Sequence, residues 1–369
     1  MQVSVYETMT PEGGLRELRE TSPVHFDEEL QGWRILCYDD ARRVLRDSET
    51  FSAKVPWPDP VPIYLFMDEP DHRRYRAPTE SAFRDLPARA AKIEQHVDEC
   101  LDAVISRGAM DLGHDLAKLV PARAVFDLLG VPRSDEDMFH QQFEKFDTGR
   151  VETAGASGEF YEYFAGQIKL ARSEPGEGLI SHVADLPDFT DDDKVGMCVQ
   201  IMAAGIAAAR HLVTWFFIVT TQADHDLIRA DWGLLPGAIE ETLRLRPPLN
   251  TVYRVTTRAV TLSGVEIPAG AMVLPTVLSA NRDPSVFTDP AVFDMHRRPN
   301  PHLTFGAGVH TCQGSGMARL EGRVILRRLL ERLDDIRVVD PDSLQLIQGL
   351  NYGLTNLPIT FTQRAACRR

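Results

Sequence analysis

The stretch that most limits what this chain can fold into begins at Thr190-Asp191-Asp192-Asp193 and continues through VGMCVQIMAAGIAAARHLVTWFFIVTT. A capping residue followed by acids suits the positive end of a helix dipole. The run behind it is apolar almost all round, which places a helix through the centre of a large domain rather than on its surface. Arg210 and His211 interrupt the run and weigh against a membrane span. Such a helix needs apolar partners on every side, so the rest of the chain must supply a thick shell of packed elements.

The 369 residues have the composition to do so, 43 % hydrophobic and 25 % charged. No Gly/Ser linker, internal repeat or low-complexity block divides them, and residues 1–369 are expected to form a single domain. Between residues 85 and 235 apolar residues recur at helical spacing, with expected breaks at Pro121, Pro132, Pro175-Gly176 and Pro187. Strands are expected at Val24-His25-Phe26 and from Trp33 to Tyr38, then a helix from Ala41 to Arg46 capped by Asp39-Asp40. In VPWPDPVPIY the alternating Pro56, Pro58, Pro60 and Pro62 exclude a helix and predict an extended connector. A short helix from Glu240 to Arg246 should end at Pro247-Pro248. Short strands should follow at Val252 to Thr256, Ala259 to Leu262 and Met272 to Thr276. A long helix from Met317 to Leu333, strand-like segments and a frayed basic tail, RAACRR, complete a mainly α fold with small β-sheets, of the α+β class.

A net charge of -14 argues against a nucleic-acid partner, since phosphate backbones call for clustered Lys and Arg. The N-terminal MQVSVYETMT has neither a basic run nor an apolar core, so no signal peptide or membrane anchor is expected. Cys37, Cys100, Cys198, Cys312 and Cys367 are scattered and form no C-x-x-C pair, which suits a reduced cytoplasmic setting better than disulfides or zinc.

The segment His302-Leu303-Thr304-Phe305-Gly306-Ala307-Gly308-Val309-His310-Thr311-Cys312-Gln313-Gly314 carries the chemistry. Its glycines let backbone lie close to a flat group and turn N–H groups toward a sulfur, and a helix follows at once. A cysteine at a helix N-terminus is expected to have a lowered pKa, the thiolate form that binds iron.

This segment closely resembles the heme-binding loop of the cytochrome P-450 family, F-G-x-G-x-H-x-C-x-G followed by an apolar residue, Ala and Arg, here Met317-Ala318-Arg319. The resemblance implies heme b between the long central helix and this loop, with Cys312 as the iron's thiolate ligand and Phe305, Gly306, His310 and Gly314 around it. Glu241-Thr242-Leu243-Arg244 resembles the family's E-x-x-R helix, and Arg297 in Phe293-Asp294-Met295-His296-Arg297 would complete a structural triad bracing the loop. His72 and Arg76 after Asp68-Glu69-Pro70, with Arg254 and His310, match the positions that hold the heme propionates in soluble bacterial members. Ala280-Asn281-Arg282-Asp283-Pro284 and Asn356-Leu357-Pro358 match as well.

In the central helix the family usually places Ala-Gly-x-acid-Thr over the heme, where acid and alcohol relay protons to bound oxygen. Here the line is Ala204-Gly205-Ile206-Ala207-Ala208, so both catalytic positions carry methyl groups. Gly205 is expected still to open the helix locally. Three readings stay open: substrate hydroxyls or ordered water deliver the protons, with hydroxylation or oxidative coupling as the outcome; the heme uses peroxide or catalyses a non-oxygenating reaction; or the chain is a non-catalytic helper of a glycosyltransferase. The retained heme positions count against the last. His211 lies four residues after Ala207 on the same helix face, either a substitute proton carrier or a core histidine bonded to a nearby carbonyl.

The resemblance further implies a monooxygenase-class oxidoreductase acting on a small-molecule, secondary-metabolite intermediate. With no flavin domain fused, its electrons would come from a ferredoxin-type partner. Expected pocket positions are Phe66, Ala204, Asn250, Thr251 and Leu354, with Ala207 and Ala208 above the heme. The short connector, with Trp57, Tyr64 and Phe66, would close the pocket or leave it open to a bulky or carrier-bound substrate.

Overall fold

The computed structural model describes residues 12–55, 62–139, 158–348 and 351–364. Pro56, Trp57, Pro58, Pro60, Cys367 and all but the first residue of the RAACRR tail lie outside the described residues, as does MQVSVYETMT.

The helices are α1 (Glu12–Thr21), α2 (Tyr38–Arg46), α3 (Asp71–Thr79), α4 (Leu86–Val104), α5 (Leu119–Leu129), α6 (Gly158–Ala171), α7 (Leu179–Ala184), α8 (Asp191–Val219), α9 (Gln222–Ala230), α10 (Leu235–Leu245), α11 (Val277–Ala280) and α12 (Ser315–Arg332). Strands β1 (Val24–Asp27), β2 (Gly32–Ile35), β3 (Phe51–Ser52), β5 (Arg254–Thr256) and β8 (Met272–Pro275) form one sheet in the order β1-β2-β8-β5-β3. Only the β2–β8 pair in it is parallel. β4 (Ala109–Asp111), β12 (Pro358–Gln363) and β9 (Leu333–Val338) make a second, antiparallel sheet, while β6 (Val260–Leu262) with β7 (Val265–Ile267), and β10 (Leu346–Gln348) with β11 (Tyr352–Leu354), form hairpins. The mainly α architecture with small sheets is as the sequence predicts.

α8 begins with a full capping box in which Thr190 and Asp193 satisfy each other's backbone N–H. It is long and apolar enough to cross a membrane, yet it is mostly buried inside the fold. Its C-terminal half packs with α4, α10 and α12 in one apolar cluster, and its N-terminal half packs with α5, α6 and α7 in another. A third cluster lies between the five-stranded sheet, α2 and α11.

Several local expectations are corrected. α2 starts at Tyr38, with Cys37 at its N-cap and no side-chain cap bond; Asp39 and Asp40 sit within the first turn, where they favour the dipole without capping it. Pro121 does not break a helix: it occupies the first turn of α5, whose N–H groups lack intrahelical partners in any case. α10 begins before Glu240, at Leu235, because Pro236 fills a first-turn position.

Candidate functional site

α8 is buried along most of its length, but Ala203 and Ala204 are exposed, and Gly205, Ala207 and Ala208 are half-buried. An accessible strip of methyl groups on a core helix marks the wall of a cleft. Gly205 does not open the helix as expected. The helix runs unbroken through it, and a Cβ there would stand 2.6 Å from Cγ2 of Val125, so glycine serves the close approach of α5.

The loop carrying Cys312 lies between a turn at Gly308–His310 and α12. The Cys312 N–H donates to the Phe305 carbonyl at 2.8 Å, and the Thr311 N–H donates to the Gly308 carbonyl at 3.1 Å. Gly306 and Gly308 have φ of 70° and 77°. Gly308 also admits the end of α2, since a Cβ would lie 2.9 Å from the Arg46 Cα and the Leu45 carbonyl oxygen. Gly314 precedes α12 and touches Phe83. The Cys312 side chain is accessible, yet it sits deep among protein groups, and this enclosure pushes its thiol above the ordinary value. The Gly314 N–H and the charges of Arg76 and Arg319 pull it back only in part, which corrects the expectation of a lowered pKa for the protein without iron.

Beside this loop the fold gathers basic groups. His72 and Arg76 come from one face of α3, Arg254 from an inward position on β5, and His310 from the loop itself. The His72 and His310 rings lie 4.1 Å apart, and Arg76 Nη1 donates to the Val309 carbonyl at 3.3 Å. Burial, with Arg254, His72 and Arg76 nearby, lowers His310 to about 3, and burial lowers Arg254 to about 10. His310 Nε2 is buried with no hydrogen-bond partner among the described residues. Glu69, 3.3 Å from His72 Nδ1, and Asp68 near Arg254 are the carboxylates acting on this cluster. Two histidines lowered by burial and by the neighbouring arginine charges, one of them with an orphaned buried nitrogen, suit a ligand that brings its own negative charges.

Glu241, Arg244 and Arg297 meet in one buried cluster. Glu241 and Arg244 are wholly buried, joined by bonds of 2.7 and 2.8 Å, and Arg297 Nε reaches both Glu241 oxygens at 3.0 and 3.2 Å. The Asp294 N–H and Asn300 Nδ2 also donate to this carboxylate, each at 3.1 Å. Asn281 carries the brace into the loop: its Oδ1 accepts from the Leu303 N–H and its Nδ2 donates to Thr304 Oγ1. Alongside, Arg319 lies over the Phe305 ring at 4.3 Å and makes a bidentate pair with Glu240, to which His302 also bonds. Burial would raise Glu240, but Arg319 and His302 outweigh it and hold the carboxyl at about 2.

His211, one turn after Ala207, is wholly buried, so tightly packed on Gly353 that a Cβ there would overlap its ring. Neither ring nitrogen has a well-formed bond, and burial, followed by the Arg210 charge, lowers its pKa to about 3. Among the expected pocket positions Ala204, Phe66 and Asn250 keep accessible surface, and Asn250 Oδ1 has no partner among the described residues. Thr251 is buried in a bridge to Thr276, and Leu354 is wholly buried in the main core. Leu65 and Leu249, which the sequence reading did not single out, are exposed beside Phe66 and Asn250.

The family model for cytochrome P-450 matches residues 227–351, the part carrying the brace and the Cys312 loop. Cyclomarin C epoxidase CymV of Salinispora arenicola is 33 % identical over 88 % of this chain and 89 % of its own length. HmtN, a post-tailoring hydroxylase of himastatin biosynthesis, superposes with a TM-score of 0.88 at 30 % identity, covering 98 % of this chain and 100 % of that one. P450BioI in complex with an acyl carrier protein ligated to hexadec-9-enoic acid superposes with a TM-score of 0.88 at 27 % identity, over 95 % and 98 % of the two chains. With identity at this level over nearly the whole length, and one fold throughout, the chain belongs to the cytochrome P-450 family of heme-iron oxidoreductases, of the monooxygenase class.

Proposed function

We propose that this chain binds heme b with Cys312 as the thiolate ligand and oxidises a small-molecule intermediate of secondary metabolism, with electrons from a ferredoxin-type partner. The observation that carries the reading is the meeting of the Cys312 loop with His72, Arg76, Arg254 and His310. The orphaned His310 Nε2 and the buried Arg254 beside it fit the carboxylates of propionate groups. When bound, the heme iron supplies the activation of oxygen.

The chain's own residues do the rest. Arg254 and Arg76 offer permanent charge to carboxylates, Glu241 with its partners holds the loop's approach, and α8 covers the other side with methyl groups. Ala207 and Ala208 offer no proton, so delivery falls to a hydroxyl of the substrate or to ordered water. Asn250 Oδ1, without a partner among the described residues, supports a role in accepting a hydrogen bond from a donor group on such a substrate. The acyl-carrier complex of P450BioI supports a carrier-bound substrate as one form in which the intermediate arrives.

The reduced protein with carbon monoxide tests the ligand. A thiolate-type Soret band is expected, and its absence would overturn the reading and favour a non-catalytic helper. Turnover of a pathway intermediate with electron donors and with hydrogen peroxide tests the oxidant. Activity with peroxide alone would replace the oxygen-dependent reading by a peroxide-dependent one.

A further inference from the structure

The last turn of α3 grips the Cys312 loop on both sides of the cysteine. Ahead of it, Arg76 Nη1 donates to the Val309 carbonyl at 3.3 Å. Behind it, Gln313 Nε2 donates to the Thr79 hydroxyl at 3.0 Å, and that hydroxyl donates to the Arg76 carbonyl at 2.8 Å. The Gln313 amide oxygen accepts from the Tyr64 hydroxyl at 3.0 Å. The amide oxygen also lies 3.3 Å from the Thr79 hydroxyl, and that hydroxyl 3.4 Å from the phenol, so the three side chains form one cluster in which the phenol bond to the amide oxygen and the amide nitrogen bond to Thr79 are the shortest to Gln313. Tyr64 and Thr79 are buried, so water competes little for the bonds.

The same link reaches the other wall of the cleft. Leu65, next to Tyr64, donates its N–H to Gln200 Oε1 of α8 at 3.3 Å. The single turn Tyr64–Phe66 is thus tied to α8 by one residue and to the Cys312 loop by the residue before it. The C-x-G pattern leaves position 313 free in chemistry. An apolar side chain there would leave the Tyr64 hydroxyl without its acceptor in the loop and remove the loop's bond to Thr79 of α3, leaving the Arg76 bond ahead of the cysteine.

We propose that Gln313 is a positioning residue for the Cys312 sulfur, holding the loop through Thr79 and Tyr64 at a fixed separation from α8. The inference rests on the reading of Cys312 as the heme ligand. Held on both flanks, the cysteine cannot swing out of the cleft unless bonds on α3 break. Without Gln313 only the Arg76 side of the grip remains.

The test uses the full-length heme-loaded protein and its Gln313→Leu, Tyr64→Phe and doubly substituted variants. Decay of the thiolate-type carbon monoxide band to its inactive, blue-shifted form is followed in mild urea, with helix content read by circular dichroism. Tyr64→Phe is expected to lose the band about fivefold faster at unchanged helix content, the factor carried by one hydrogen bond, and Gln313→Leu, which removes two, at least as fast. The double variant should decay no faster than the worse single one, because both cut one link. Should Gln313→Leu fail to fold, Tyr64→Phe, which removes a single hydroxyl, carries the test. Wild-type decay rates in the variants, or fully additive effects, would overturn the proposal. A wild-type protein with no thiolate-type band would instead overturn the reading of Cys312 on which it rests.

Discussion

On the Cys312 side of the cleft, polar groups hold polar groups through several layers. Glu241 is satisfied by Arg244, Arg297, Asp294 and Asn300, Asn281 passes that order to Leu303 and Thr304, and α3 fastens the loop at Val309 and Gln313. On the α8 side, the accessible strip is Ala203, Ala204, Ala207 and Ala208, with His211 wholly buried one turn further along. One wall is fixed by directional bonds and the other by close apolar contact. The difference teaches where each wall is sensitive: the first fails when a bond is removed, whereas the second changes when a polar group is introduced.

The largest expected effect comes from Cys312→Ala, which should abolish the thiolate-type band of the reduced carbon monoxide complex while leaving the fold in place, as checked by the spectrum beside circular dichroism. Next comes Glu241→Gln. Removing one charge from a wholly buried pair leaves Arg244 uncompensated and should lower stability by about 3–5 kcal/mol in urea unfolding. Gly308→Ala should cost less, about 1–3 kcal/mol, because it places a side chain at φ 77° against Arg46 and Leu45; heme retention on dilution is a second readout.

On the α8 wall, Ala208→Thr should raise the product formed per electron consumed by less than about tenfold, well short of the 10²–10⁴ that a general acid contributes. A gain within that full range would mean that the natural protein has no proton delivery of its own. The last effect concerns His211 and is confined to acid pH. Burial keeps it neutral in the folded state, at about 3 against 6.5 for the free side chain, so the unfolded chain binds the extra proton between those values. Stability should therefore rise with pH across that window and fall as pH drops through it. His211→Leu should flatten the slope by up to about 1.4 kcal/mol per pH unit. If the slope stays unchanged while turnover falls, His211 acts as a proton carrier and the contrast between the walls weakens.

Much of the Cys312 wall was legible because its residues sit at fixed short spacings whose chemistry admits few uses. The loop from Phe305 to Gly314, the Glu241–Arg244 pair and His72 with Arg76 are such cases. Their supports were less legible. Asn300, Asp294 and Asn281 act through backbone approaches between segments far apart in the chain. Gln313 takes its meaning from Tyr64 and Thr79, which no local pattern pairs with it. The α8 wall was legible as an absence, two methyl groups where acid and alcohol are usual. That Gly205 serves Val125 on α5 instead of opening the helix depends on a neighbour the sequence does not name.

By itself, the sequence determined the central helix, the glycine-rich loop that carries Cys312 and the basic residues His72, Arg76, Arg254 and His310, since periodicity, capping and residue chemistry are local properties of the chain. Tertiary structure decided the protonation of Cys312, His211 and Glu240, the burial of Leu354 and Thr251, and the grip of α3 on both flanks of the cysteine. Desolvation and hydrogen bonding depend on which distant groups the fold brings within a few ångströms, and that is set only when the elements pack.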